Sequence, residues 1–269
     1  MTPSFANLRN VAALIELIEK VQGYGFRDAG MATFYGPSGW GKSYAAAFAS
    51  GEFNAHCVMV KSCVSRGHFL RSIKRVIGLP EKGDIPTMVD EIGAQLARSN
   101  RPLIIDDAQY LLRSGMIELA RDIFESSHVP VILVGEEQLP QKLTQWENIH
   151  GRQLAWGQAL PCNLADAKRL APIYAPGIEV SDDLLSAFVD ASGGSVRRVR
   201  NNLAAARELA RGRGRRDADL GLWGNRDFDT GQPPVMRRYE AAHPVLPPMP
   251  SPARPETVVP LATEKKAVR

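Results

Sequence analysis

Two stretches of this chain have the residue types and spacing to handle a nucleoside triphosphate. Gly36-Pro37-Ser38-Gly39-Trp40-Gly41-Lys42-Ser43 fits the pattern G-x-x-x-x-G-K-[ST] without a mismatch. The apolar run Met31 to Tyr35 precedes it and a segment of helical composition, Tyr44 to Phe48, follows, which is the context this motif requires. Glycines let such a loop wrap so that its backbone N–H groups point at phosphate oxygens, and the helix N-terminus adds a partial positive charge. Lys42 would reach the β- and γ-phosphates and Ser43 would ligate Mg2+, so ATP with Mg2+ is the expected ligand pair. A plain Gly-rich surface turn is the alternative, and the strand–loop–helix context speaks against it. Leu103-Ile104-Ile105-Asp106-Asp107 supplies the second half. An apolar strand ending in a carboxylate holds Asp106 at the C-terminal edge of a sheet, where it can orient Mg2+, and Asp107 would polarise the attacking water. Either aspartate could instead cap the segment that starts at Ala108.

The elements that must position these residues follow from periodicity. Asn10 to Val21 reads as an amphipathic helix with Val11, Leu14, Ile15, Ile18 and Val21 on one face. Four strand-like runs, Met31–Tyr35, His56–Val60, Pro102–Ile105 and Pro130–Val134, alternate with helices over Ser65–Ile77, Pro86–Arg98 and Met116–Ser126. Strands that are continuously apolar imply a parallel sheet covered on both faces, an α/β fold. From Asn163 the strands stop, and three helices follow: Asn163–Tyr174, Ser181–Ala191 and Ser195–Arg211, with Asn163 and Ser181 as N-caps. The expected division is an α/β core over 1–160, a small helical lid over 161–211 and a disordered tail over 212–269. That tail opens with Arg-Gly alternation and holds nine of the nineteen prolines, too little apolar pattern for a core.

Composition limits the remaining possibilities. Hydrophobic residues make up 44% and charged residues 23% of the 269 positions, which allows a sizeable core. No run of about eighteen apolar residues occurs and the N-terminus lacks a secretory pattern, so a cytoplasmic location without a membrane span is expected. Cys57, Cys63 and Cys162 have no metal-ligand spacing and read as buried reduced thiols. Residues 211–269 hold eleven Lys/Arg and seven Asp/Glu of totals of 33 and 29, leaving 22 of each in the body. The body is therefore neutral, and any basic groove on it must come from local clustering.

Together the two motifs resemble those of the AAA+ superfamily of P-loop ATPases. Ile105-Asp106-Asp107-Ala108-Gln109 is similar to its Asp-Glu-Ala-Gln variant, with Asp107 in place of the usual glutamate. The shorter side chain implies slow hydrolysis, stimulated by DNA or a partner. Ser192-Gly-Gly-Ser-Val-Arg197-Arg198 resembles the sensor-2 signature, which implies that Arg197 faces the γ-phosphate; a solvated helix face is the other reading. Asn148-Ile-His-Gly-Arg152 resembles the segment that supplies an arginine finger to a neighbouring subunit, although a surface arginine fits as well. After Val134, where the superfamily usually has Asn, Ser or Thr as sensor 1, stand Gly135 and Glu136, so no residue carries over there.

Within AAA+, the spacing and the strand Val131 to Gly135 look most like the transposition ATPases of Mu-like phages, over residues 5–210. That resemblance implies ATP-dependent, sequence-tolerant binding of double-stranded DNA by a homo-oligomer, as a filament or ring, which delivers target DNA to a transposase. That family carries an additional N-terminal DNA-binding domain, and with Met1 only a few residues ahead of the core no contribution of that kind is expected here. DNA contacts would then fall on the basic helix and its flanks, at Lys61, Arg66, Arg71, Lys74, Arg75 and Lys82, a cluster suited to phosphates rather than base edges. A solvated amphipathic face is the competing reading of the same cluster. Trp40 could stack on a base or simply pack. The Arg211–Arg216 segment could follow a phosphate backbone, and Pro244 to Pro255 could dock a protein partner. Two other functions share these motifs: a secretion- or motility-type AAA+ ATPase, and a nucleotide-switched scaffold with little hydrolysis.

Overall fold

The computed structural model describes residues 6–24 and 29–233. Its centre is a sheet of five parallel strands in the order β2-β3-β4-β1-β5. The strands are β1 (Met31–Tyr35), β2 (His56–Met59), β3 (Leu103–Asp106), β4 (Val131–Gly135) and β5 (Gln153–Gln158). Alternate residues of the inner strands serve two separate cores, because both faces are covered. Phe34, Ile104, Ile132 and Val134 belong to one core, together with α1 (Arg9–Gln22) and α2 (Lys42–Glu52). Leu103, Ile105, Val131 and Leu133 belong to the other, with α3 (Arg66–Val76), α4 (Ile85–Ser99) and α5 (Ile117–Ser127). Between β3 and α5 the chain runs as a 3-10 segment, Ala108–Gly115. Two short helices, α6 (Leu139–Leu143) and α7 (Glu147–His150), lead from β4 to β5.

Strand β5 was not expected from the sequence. Gln153-Leu-Ala-Trp-Gly-Gln158 is an edge strand paired only with β1, so one polar flank is tolerated and no apolar run develops.

After the sheet come α8 (Leu164–Tyr174), α9 (Asp182–Ser192) and α10 (Val196–Gly212). Asn163 caps α8 in a capping box with Asp166, accepting from the Asp166 N–H at 3.0 Å. Ser181 makes no such bond at the start of α9; its hydroxyl meets the Asp183 carboxylate instead.

The expected start of the tail at 212 is corrected by the structure. Residues 217–218 form β7, which pairs with β6 (Glu179–Val180), and α11 (Leu220–Trp223) follows. Trp223 stacks on Phe228 with ring centres 5.4 Å apart, and Phe188 of α9 meets both rings edge-on. Asn202 of α10 closes the segment by a pair of bonds to the Asp229 backbone, at 2.8 and 3.3 Å. A handful of aromatic and leucine side chains over a dozen residues is too short a stretch to show a period, yet it is enough to cover a helical layer. Residues 234–269, including Pro244 to Pro255, lie outside the described residues. Among the described residues no helix is long and apolar enough to cross a membrane.

Candidate functional site

The loop from Gly36 to Ser43 leaves the C-terminal end of β1 and enters α2. Gly39 and Gly41 take φ of 84° and 87°, a region that side chains with a Cβ rarely occupy. A Cβ would also crowd α10 at both positions. A Cβ on Gly39 would lie 2.6 Å from Ser195 Oγ, and one on Gly41 would lie 3.2 Å from a Val196 methyl. The first turn of α10 therefore sits directly on the loop, and the Arg197 N–H donates to Gly39 O at 3.2 Å. From the other side the buried Asn10 of α1 clamps the loop. Its amide N–H2 donates to Trp40 O (2.7 Å) and Leu160 O (2.8 Å), while its carbonyl accepts from the Leu160 N–H (2.7 Å). Trp40 itself packs against the core beside Pro161 and Gly194, so packing rather than stacking accounts for it.

Lys42 Nζ lies inside the curl of the loop and donates to Gly36 O (2.7 Å) and Pro37 O (2.8 Å). Burial pushes the Lys42 ammonium below its usual range; Asp106, Asp107 and Glu136 oppose this, and Arg197 adds to it. Asp106, at the tip of β3, is 4% exposed. Burial pushes its carboxyl up, and hydrogen bonds from the Ser43 hydroxyl and the Asp107 N–H (2.9 Å) partly counter that. A hydroxyl hydrogen-bonded to a buried carboxylate is a small set of hard oxygen donors. It suits Mg2+, which takes few protein ligands and fills its shell with phosphate and water oxygens. Among the described residues no group of three or more His, Cys, Asp or Glu able to hold a metal occurs.

Asp107 has left-handed backbone angles, φ 56° and ψ 37°, and makes no side-chain cap to the segment behind it. Its carboxylate accepts from Gln109 Nε2 at 3.1 Å. Asp107, Lys42, Ser43, Glu136, Arg197 and Arg200 line one cavity of about 390 Å³ between the sheet edge and α10. Two of these the sequence reading missed. Glu136 follows β4, at the place where no residue could be assigned, and only the sheet order shows that β4 lies between β3 and β1. Arg200 stands one turn after Arg197 on the same helix face, with its guanidinium 5.6 Å from the centre of the Tyr174 ring. The i, i+3 spacing of Arg197 and Arg200 was the available signal.

Arg152 is elsewhere. It directly precedes β5, and its carbonyl accepts from the N–H of Met31, the first residue of β1. In a parallel sheet that is the end opposite the loop, so Arg152 lies outside the site of its own chain. Its guanidinium holds Glu125 Oε1 at 2.8 and 3.2 Å.

The basic cluster divides. Lys61, Arg66 and Lys82 are exposed and Arg71 is half-buried. Lys74 is corrected: it is 1% exposed, ion-paired with Glu91, and donates to Lys82 O at 2.6 Å. A buried, paired ammonium has no free face for DNA; the four-carbon stem let a position on the apolar side of α3 carry a charge. Arg75 is exposed but held by Glu81 through two bonds of 2.7 and 2.6 Å. Arg113, not foreseen, donates to Ser62 O at 3.2 Å and so joins the Lys61–Arg66 loop. In the Arg-Gly segment, Arg215 is engaged by Asp217 and Asp219, which argues against a freely moving phosphate tracker there. Of the thiols, Cys63 is exposed rather than buried, whereas burial pushes Cys57 up to about 11 and Cys162 up to about 12.

Comparison with known proteins follows the same lines. Residues 26–143 match the family model described as AAA domain. No curated protein sequence matches the chain. Among solved structures it is similar to Cdc6p from Pyrobaculum aerophilum, with 17% identity and a TM-score of 0.57 over 81% of this chain and 66% of that one. It is similar to the Aeropyrum pernix ORC1 protein in complex with DNA at 17% identity and TM-score 0.57, over 82% and 64% of the two chains. It is also similar to domain III of the Thermotoga maritima replication initiation protein DnaA at 16% and 0.55, over 81% and 91%. The chain thus spans about two thirds of the length of the first two. At such identities the likeness concerns the fold. Sheet order and loop agree with the family match over residues 26–143: the α/β core has the fold of an AAA-type P-loop domain.

Proposed function

We propose that this protein is a DNA-binding AAA+ ATPase that captures double-stranded DNA without strong sequence preference, as an ATP-dependent homo-oligomer, and regulates a transposase. The observation that carries the nucleotide part is the meeting of Lys42, Asp107, Glu136 and Arg197 around one cavity closed by α10. Bound Mg2+ would neutralise phosphate charge, with Ser43 and Asp106 as its protein ligands. Lys42 and the loop N–H groups would hold the phosphates. Asp107 would accept a proton from the attacking water, and Arg197 would stabilise charge on the γ-phosphate.

The DNA part rests on Lys61, Arg66 and Arg113, which follow β2 and β3 at the same edge of the sheet as the nucleotide loop. Phosphate contacts there would respond to nucleotide through Asp106 and Asp107, at the end of β3. A structural relative solved with DNA agrees in kind. The transposase partner rests on the motif resemblance alone. Asp107, shorter than glutamate, also keeps a nucleotide-switched scaffold in play as a second reading.

Electron microscopy of the purified chain with duplex DNA tests the proposal. Filaments or rings on DNA are expected with ATP, and none with ADP or with the Lys42→Ala variant. Equal DNA decoration with and without ATP would remove the coupling of nucleotide to DNA.

A further inference from the structure

The tips of β3 and β4 are joined by one side chain. Gln109 Nε2 donates to Asp107 Oδ1 at 3.1 Å, and Gln109 Oε1 accepts from the Glu136 N–H at 3.3 Å. The two partners choose the amide orientation, since a carboxylate can only accept and a backbone N–H can only donate. Gly135 makes the space. A Cβ on residue 135 would stand 2.8 Å from Gln109 Oε1 and 2.5 Å from a Leu139 methyl. Asp107, held in the left-handed region, turns its carboxylate toward this amide rather than capping the segment that follows.

We propose that Gln109 is a positioning residue for Asp107: its carboxamide fixes the carboxylate and ties it to the tip of β4, in the place a polar side chain on residue 135 would fill. The proposal rests on the hydrolysis reading of Asp107. It explains three observations together: no side chain at 135, the amide bridge, and the left-handed Asp107. Gln109 does not line the nucleotide cavity. It faces a neighbouring one of about 430 Å³ with Tyr110, Arg113, Glu136 and Lys142, so it acts through Asp107 and not on the nucleotide. A short aspartate has to be held in one rotamer to place a water, and a bond to an ionised group is strong enough to select it.

Two substitutions separate positioning from mere filling. Gln109→Glu keeps the shape and the acceptor for the Glu136 N–H, but sets a like charge against Asp107. Gln109→Met removes both bonds and adds no charge. A filler role ranks Gln109→Glu nearest the wild type; a positioning role ranks it last. DNA-stimulated ATP turnover should fall about tenfold in Gln109→Met, as loss of one charge-assisted bond implies, and further in Gln109→Glu. ATP affinity, read by displacement of a fluorescent ADP analogue, should stay within about twofold in both, so that kcat moves and binding does not. Melting curves check folding, and Gln109→Asn, too short to span both partners, replaces Gln109→Met should that variant melt early. Wild-type turnover in Gln109→Glu, or affinity falling in step with kcat, overturns the proposal while the ATPase reading stands. A wild-type chain that binds ATP and shows no turnover overturns that reading, and this proposal with it.

Discussion

Burial works against the charge on Asp106, the carboxylate proposed above as a ligand of Mg2+. The carboxyl is pushed above its ordinary value of 3.8, first by desolvation and then by Asp107, against bonds from Ser43 and the Asp107 N–H. Proton linkage gives the sign. The folded chain holds this proton more tightly than the unfolded chain, so the group opposes folding once pH rises through that raised value and is neutral well below 3.8. At neutral pH, Asp106→Asn should therefore raise the melting temperature of the nucleotide-free chain, by about 2–4 °C, the shift that roughly 1 kcal/mol produces at this size. The same variant should lose the extra stabilisation that ATP gives in the presence of Mg2+. Differential scanning fluorimetry reads both, and a lower melting temperature without ligand would show that the bonds from Ser43 and Asp107 outweigh the burial.

At the scale of elements, the loop is held from two sides by helices that meet nowhere near it in sequence. Asn10 of α1 satisfies two carbonyls and one N–H, at Trp40 and Leu160, and it is 4% exposed. Asn10→Ala leaves those groups buried and unpaired, with an expected loss of about 2–3 kcal/mol in urea denaturation and weaker ATP binding. A loss of stability with unchanged affinity would mean that α10 alone keeps the loop in shape. The loop and β3 were plain in the sequence because each carries its chemistry in contiguous residues, Gly36 to Ser43 and Leu103 to Asp107. The clamp was not, since Asn10 reads only as a polar position on an amphipathic helix. Strand β5 stayed hidden because an edge strand needs only one apolar contact flank, and Lys74 misled because its charge sits on the end of an apolar stem. Glu136 and Arg200 enter the site through strand order and helix packing, which a pattern along the chain does not encode.

For the whole molecule, the folded body runs past the last long helix. Trp223 is 4% exposed, stacked on Phe228 and met edge-on by Phe188. Trp223→Ala should cost about 3–5 kcal/mol, and a chain ended after Arg211 should lose at least as much, read by chemical denaturation. A truncation that melts like the full chain would return residues 217–229 to the tail.

The parallel sheet also gives the molecule a direction. The nucleotide loop leaves the C-terminal end of β1, and Arg152 stands at the N-terminal end of β5 beside it. If Arg152 completes a neighbour's site by stacking of one copy on the next, each copy gives at one end and receives at the other. Such head-to-tail stacking closes into a ring or continues as a helix. An open stack always carries one idle arginine and one incomplete site, whereas a ring carries neither. Turnover per subunit would then climb with the length of an open assembly and level off, so the short assemblies are the least active and the two ends of a filament are chemically unlike.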